Sequence, residues 1–233
     1  MNGIRQTDVI PFDEDLPDWY TRSRVADPTL DSELASLKVF ARSINGWLSE
    51  AQGMALYCLA ARSIAGDVLE VGSFCGKSTV FLALGCKHTT ARVVAVDPHK
   101  AIAEGGKEQY GPDFQPRLTG TWEEFSSNVR RSGLGEYVEP FVGTSQEARE
   151  VYSSLRLKLL FIDGSHDFPD VLLDYSMWND MIVPGGYLAF HDSNFEGVNR
   201  VLHQHLDRVR YRYDGTIDRG GWAMTLWAKR PAF

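Results

Sequence analysis

Apolar residues along the 233-residue chain follow two different periods. Leu34, Leu37, Ala41, Ile44 and Leu48 recur every three or four positions after Asp31, the spacing of an amphipathic helix. Ser49 followed by Gln52 forms a capping-box pair, so a second helix is expected to start there and to stop at Gly66. The pattern then changes. Short apolar runs at 67–71, 93–96, 137–142, 159–162 and 187–190 alternate with helical stretches near 77–84, 121–131, 146–155, 169–181 and 195–206. Strand–helix alternation needs crossover connections, which place a mostly parallel sheet between two layers of helices. Two last runs, 209–213 and 222–229, are joined by the turn-rich stretch 214–221 and read as an antiparallel hairpin.

This pattern predicts one α/β domain over 49–233, preceded by an arm and helix over 1–48 that act as a cap rather than as a separate domain. The stretch 99–120 is irregular and rich in Gly and Pro, which favours a lid. Trp19, Tyr20, Phe114 and Trp122 are candidates to cover a ligand, with core packing the expected role of Trp122. No internal repeat or low-complexity tract interrupts the chain.

Composition narrows the partners. With 43% hydrophobic and 24% charged residues the chain is an ordinary globular one. A net charge of -7 without any Lys/Arg run argues against nucleic acid or an anionic membrane as the main partner and for a small or neutral substrate. Cys58, Cys75 and Cys86 lack metal-site or disulfide spacing and are expected to be buried thiols. The acidic start, broken by Pro11 and Pro17, is unlike a secretory signal, and no apolar run approaches the ~20 residues that span a bilayer. A cytoplasmic protein is expected, with homo-oligomerisation left open.

The sharpest motif is VLEVGSFCGKST at 68–79. Glycines where a strand turns into a helix let the backbone bend sharply and approach a ligand, and open α/β sheets bind ligands at the carboxyl ends of their strands. A P-loop would need glycine where Val71 stands, and a dinucleotide GxGxxG would need one at Phe74. ExGxxxG, with five βα units and a terminal hairpin, instead resembles the first motif of class I, S-adenosylmethionine-dependent methyltransferases. The resemblance implies their Rossmann-like fold, a seven-stranded, mostly parallel sheet with a C-terminal antiparallel hairpin. It implies cofactor contacts from Glu70, Gly72, Ser73, Gly76 and Ser78, with Phe74 where the family usually has a glycine. Asp97, ending the next strand, then stands where the family's acid accepts hydrogen bonds from both ribose hydroxyls. Ser145, within Gly143–Gln146, borders adenine.

Two further strand ends carry chemistry. FIDGSHD holds Asp163 and His166, and FHDSN holds His191 and Asp192. With the TWEEF segment at 121–125 they resemble a bacterial family that includes macrolide and aminocoumarin sugar O-methyltransferases. The likeness runs from about Gly46 to Leu206. It implies a divalent cation, usually magnesium, on Asp163 and Asp192, with Asp163 also bordering the cofactor. His191 stands where that family has an acid. As a ligand it would favour a softer metal; otherwise it faces substrate. His166 is the expected general base, with a loop-stabilising role as its alternative and His191 as the alternative base. An imidazole with an ordinary pKa near 6.5 suits proton removal from a hydroxyl. The resulting expectation is O-methylation of a sugar or glycosylated metabolite. The alternatives are a catechol-like phenolic O-methyltransferase and a cofactor-binding module without turnover.

Overall fold

The computed structural model describes residues 28–100, 120–218 and 221–231; the arm with Trp19 and Tyr20, and most of the expected lid with Phe114, lie outside them. Helices α1 (Pro28–Ala41) and α2 (Glu50–Ala60) precede β1 (Asp67–Val71). Next come α3 (Lys77–Lys87), β2 (Val93–Asp97), α4 (Thr121–Ser132), β3 (Val138–Val142) and α5 (Ser145–Val151). Then follow β4 (Leu157–Ile162), α6 (Phe168–Trp178), β5 (Ile182–Phe190), α7 (Glu196–Gln204), β6 (Tyr211–Ile217) and β7 (Met224–Lys229). All seven strands join one sheet in the order β3-β2-β1-β4-β5-β7-β6. β1 to β5 are mutually parallel where they pair, and β7 runs antiparallel between β5 and β6. This is the expected class I methyltransferase architecture.

The two-residue period of the strands divides the core. Val68, Val93, Ala95, Leu159 and Phe161 point to one face and pack with Leu37, Leu56 and Phe81 of α1, α2 and α3. Their neighbours Leu69, Val94, Val96, Leu160 and Ile162 point to the other face, against Trp178 of α6 and Val201 of α7. β4 and, beyond Asp67, β1 are buried on both sides, so their runs are apolar except for two buried charged residues, Glu70 and Lys158. Each fully buried Leu, Val or Phe contributes roughly 1.5–3 kcal/mol. Cys58, Cys75 and Cys86 are free and buried, as expected. Among the described residues no helix is long and apolar enough to cross a membrane.

Several boundaries differ from the sequence reading. α1 stops at Ala41, yet Ile44 and Leu48 are still buried, reached by a connector that turns through Gly46 at φ 137°. α2 starts with the expected capping box but ends at Ala60, ahead of Gly66. β5 begins at Ile182, directly after the expected helical stretch 169–181 and five residues ahead of the expected strand 187–190. The register jumps from the Leu157–Ile182 pair to Leu159–Tyr187, so 183–186 bulge out around Pro184 and Gly185. β6 runs on to Ile217, through residues read as a turn, because Gly215 at φ 143° absorbs a shift in register.

Candidate active site

The parallel strands release their loops along one edge, because the ladder continues into the first loop residue of each. Gly72 N–H donates to the Val96 carbonyl over 2.8 Å, and Asp163 N–H to Val71 over 2.8 Å. Gly143 N–H donates to Asp97 over 3.1 Å, and His191 N–H to Ile162 over 3.0 Å. Strand order reverses direction at β1, with β2 on one side and β4 on the other. A crevice forms at such a point. Here it is a cleft of about 820 Å³, within the size range of small-molecule sites.

The loop after β1 forms its floor. Gly72 takes φ 93°, and a Cβ there would lie 2.2 Å from the Asp163 carbonyl oxygen, so only glycine lets the β1 and β4 loops touch. Phe74 stands where the related motif has glycine, and it adopts the glycine conformation all the same, at φ 44°. Its N–H donates to Asp97 Oδ2 over 2.8 Å, and its ring lies 5.9 Å from that of Trp47. Gly76, at φ 85°, opens α3 beneath the loop and does not line the cleft.

Of the other expected cofactor residues, Ser73, Ser78, Asp97, Ser145 and Asp163 line the cleft, whereas Glu70 does not. Glu70 is fully buried and accepts hydrogen bonds from Ser78 Oγ and, over 2.6 Å, from Thr79 Oγ1. Burial pushes its carboxyl up to about 8 against those two hydroxyls. Ser78 is therefore turned toward Glu70, and together they brace the loop. Asp97 also accepts from His99 N–H over 2.7 Å. His99 is itself packed against the stacked pair Trp122 and Phe125, with Nδ1 3.1 Å from Thr121 Oγ1, and does not line the cleft. Ser145 Oγ accepts from Trp178 Nε1–H over 2.8 Å.

The β4 and β5 loops bring the four chemistry-bearing residues together. Ile162 pairs with Phe190, so Asp163 and His191 leave the sheet side by side. His191 Nδ1 lies 3.0 Å from Asp163 Oδ1 and 3.1 Å from Asp192 Oδ2. His166 Nε2 lies 2.7 Å from Asp192 Oδ2. Asp192 adopts φ 51°, a left-handed conformation that Asp tolerates better than most residues. His191 and Asp192 are buried, while the His166 side chain is 41% exposed and borders the cleft.

Charge in this cluster is strongly coupled. Burial disfavours the His191 cation, but the carboxylates of Asp163 and Asp192 override it and push the ring up to about 10. Burial likewise opposes the Asp192 anion, but hydrogen bonds from His166 and His191 hold it down to about 2. At Asp163 burial prevails over His191 and raises the carboxyl. The Asp192 hydrogen bond raises the His166 ring. Ligand atoms of Asp163, His191 and Asp192 all lie within 4.8 Å of one another, close enough to hold one cation. Asp192 Oδ1 is buried with no hydrogen-bond partner among the described residues.

Residues 69–193, more than half of the chain, match the family described as a methyltransferase domain. The chain belongs to that family. Solved structures of similar fold include cofactor-bound Rv0187 from MTB, 22% identical over 94% of this chain and 100% of that one, with a TM-score of 0.60. An O-methyltransferase from Bacillus cereus in complex with SAH is 18% identical over 88% and 92%, with a TM-score of 0.61. The O-methyltransferase TomG from Streptomyces achromogenes, in complex with SAM, is 19% identical over 92% and 96%, with a TM-score of 0.59. At these identities the likeness is one of fold.

Residues that no motif announced also shape the cleft. Gly197 opens α7, and a Cβ there would lie 2.1 Å from the His166 carbonyl oxygen, so this glycine lets the His166 loop settle against the helix. Phe195 packs its ring 4.6 Å from the His166 ring. Trp47, Phe195 and Trp222 line the cleft while remaining partly exposed. Gln52, read from sequence as a helix cap, also places Oε1 3.1 Å from His191 Nε2.

Proposed function

We propose that the chain is an O-methyltransferase that uses S-adenosylmethionine to methylate a hydroxyl of a sugar or glycosylated metabolite, assisted by a divalent cation and a histidine base. One observation carries the reading: Asp163, His166, His191 and Asp192 line the same cleft as Gly72, Ser73 and Asp97. S-adenosylmethionine supplies an electrophilic methyl group on a sulfonium. The complexes of two structural relatives with SAH and SAM support this choice of cofactor.

Asp97 is the ribose residue in this reading. Its carboxylate has about four acceptor sites, and Phe74 and His99 N–H occupy two. Gly72 and Ser73 border the methionine end, Ser145 borders adenine, and Glu70, Ser78 and Gly76 hold the loop from below.

Asp163, Asp192 and His191 Nδ1 fit a cation, because the buried, ionised Asp192 keeps an oxygen without a hydrogen-bond partner among the described residues and two carboxyls lie beside one ring nitrogen. Held by these three residues, a divalent ion would supply Lewis acidity toward the acceptor hydroxyl. A nitrogen ligand beside carboxylates suits manganese, iron or zinc better than magnesium. His166, with Nε2–H given to Asp192, has Nδ1 to receive the acceptor's proton. A base strengthened by a carboxylate suits an aliphatic alcohol more than a phenol, which gives up its proton without such help. The rim of Trp47, Phe195 and Trp222 offers aromatic faces for the C–H side of a sugar ring.

Incubation with S-adenosylmethionine and parallel panels of sugar and phenolic acceptors tests the proposal. Methylated mass with stoichiometric S-adenosylhomocysteine from the sugar panel is expected. Turnover confined to phenols would overturn the acceptor class, and transfer to nitrogen or carbon would overturn the reaction.

A further inference from the structure

Gln52 joins three segments that are distant in the chain. Its amide nitrogen donates to the Trp222 carbonyl, and its Oε1 accepts from Ser49 N–H over 3.0 Å. The Trp222 carbonyl can only accept and the Ser49 N–H can only donate, so the orientation of the amide is not ambiguous. The residue is 1% exposed, so its amide is satisfied from within the protein. Oε1, an acceptor, also lies 3.1 Å from His191 Nε2. That ring nitrogen must therefore carry a hydrogen.

The consequence falls on the opposite side of the ring. With Nε2 committed as a donor, Nδ1 is the nitrogen that faces Asp163 and Asp192, at 3.0 and 3.1 Å. A bare lone pair this close to two carboxyl oxygens is repelled by both, so Nδ1 must hold either a proton or a metal ion. Turned over about Cβ–Cγ, the ring would put the carbon Cδ2 in place of Nδ1 before the carboxyls and take Nε2 away from Gln52, so the ligand atom would be lost. Phe161 packs edge-on against the ring at 6.3 Å, but an apolar contact does not distinguish the two nitrogens. The Gln52 carbonyl does, because it calls for a hydrogen on Nε2.

We infer that Gln52 is a positioning residue of the cation site: it fixes the His191 tautomer so that Nδ1 is the ligand, and it ties α2 and the Trp222 backbone to that geometry. The inference rests on the cation proposed above. It extends that reading to a residue outside the methyl-transfer motifs, 139 positions from the histidine it orients.

The test compares wild type, Gln52→Leu and Gln52→Glu by Mn(II) titration under electron paramagnetic resonance, with S-adenosylhomocysteine affinity and melting temperature measured alongside. Gln52→Leu removes the acceptor and is expected to weaken Mn(II) binding by about 10–100-fold, the usual loss for a residue that orients a metal ligand, while S-adenosylhomocysteine affinity is unchanged. Gln52→Glu keeps an acceptor oxygen and should hold Mn(II) within a few-fold of wild type. Wild-type Mn(II) affinity in Gln52→Leu overturns the inference, as does an equal loss in both variants. Nitrogen-15 spectra of metal-free wild type give a second readout: the His191 Nε2–H should exchange slowly with solvent and persist in Gln52→Glu. A freely exchanging Nε2–H overturns the inference even if Gln52→Leu fails to fold. If wild type binds no Mn(II) while its Nε2–H is protected, the proposed cation falls and the orienting role of Gln52 stands.

Discussion

Phe74 donates its main-chain N–H to Asp97 Oδ2 over 2.8 Å from a left-handed backbone at φ 44°. The pair ties the loop after β1 to the end of β2, and a left-handed conformation at a residue with a side chain costs roughly 1–2 kcal/mol. The loop therefore depends on Asp97 as an anchor, and the same carboxylate is the proposed ribose acceptor. Asp97→Ala should weaken S-adenosylhomocysteine binding by about 1.5–3 kcal/mol, the range for hydrogen bonds to charged groups. Calorimetry that returns the wild-type dissociation constant would remove Asp97 from the cofactor site.

Two glycines separate conformational cost from crowding. Gly72→Ala combines a left-handed penalty with a Cβ forced to 2.2 Å from the Asp163 carbonyl, and should destabilise by about 2–5 kcal/mol. Gly133, at φ 71°, has nothing within 4 Å of an added Cβ, and Gly133→Ala should cost only about 1–2 kcal/mol. Equal shifts in urea midpoint would contradict the close approach of the β1 and β4 loops.

The buried acid of the motif gives a pH dependence. The Glu70 carboxyl sits near 8 in the folded protein against an ordinary 4.5, because burial penalises its anion. The native state thus keeps a proton that the unfolded chain releases. Its stabilising contribution is complete below about pH 4.5 and is lost as pH rises to about 8. Across that window the melting temperature of wild type should fall more steeply than that of Glu70→Gln. Parallel curves in scanning calorimetry would mean that Glu70 is ionised in the native protein.

Removal of the cation should separate chemistry from cofactor binding. EDTA is expected to abolish turnover and leave S-adenosylhomocysteine affinity largely intact, since Asp97 and the β1 loop do not depend on the ion. Adding back magnesium, manganese or zinc reports the donor set. A preference for the softer ions that shifts toward magnesium in His191→Asp identifies the ring nitrogen as a ligand. Full activity in metal-stripped enzyme would refute metal assistance.

His166→Ala should retain both S-adenosylhomocysteine and Mn(II) binding yet lose at least the ~10²-fold typical of a general base. A near-normal single-turnover rate in this variant would move the base elsewhere in the cluster.

Much of this molecule could be read from local pattern. Strand–helix alternation, the ExGxxxG turn and the acids at strand ends are each written within a few consecutive residues, and backbone geometry converts them directly into period, turn and edge position. The hairpin was legible for the same reason. Its β6 strand was cut short because Asp214 and Gly215 carry turn chemistry, and only pairing with β7 draws them into the sheet. β5 was started late because Pro184, Gly185 and Gly186 read as a breaker, and only the β4 neighbour turns that breaker into a bulge.

The site itself was decided by tertiary structure. Sequence supplied Asp163, His166, His191 and Asp192 as a set, but not which atoms meet. The Ile162–Phe190 register sets the first contact, and Gly197 lets the His166 loop approach the helix that follows β5. Sequence likewise marked Phe74 as a departure from glycine, and only packing, with Asp97 holding its N–H, keeps it in the glycine conformation. Gln52 is the clearest case. Its capping role follows from Ser49 three residues earlier, whereas its hold on His191 needs the chain to fold back across 139 positions. Local motifs encode interactions that the backbone makes within a turn or two; hydrogen bonds between distant segments exist only after the sheet has aligned their ends.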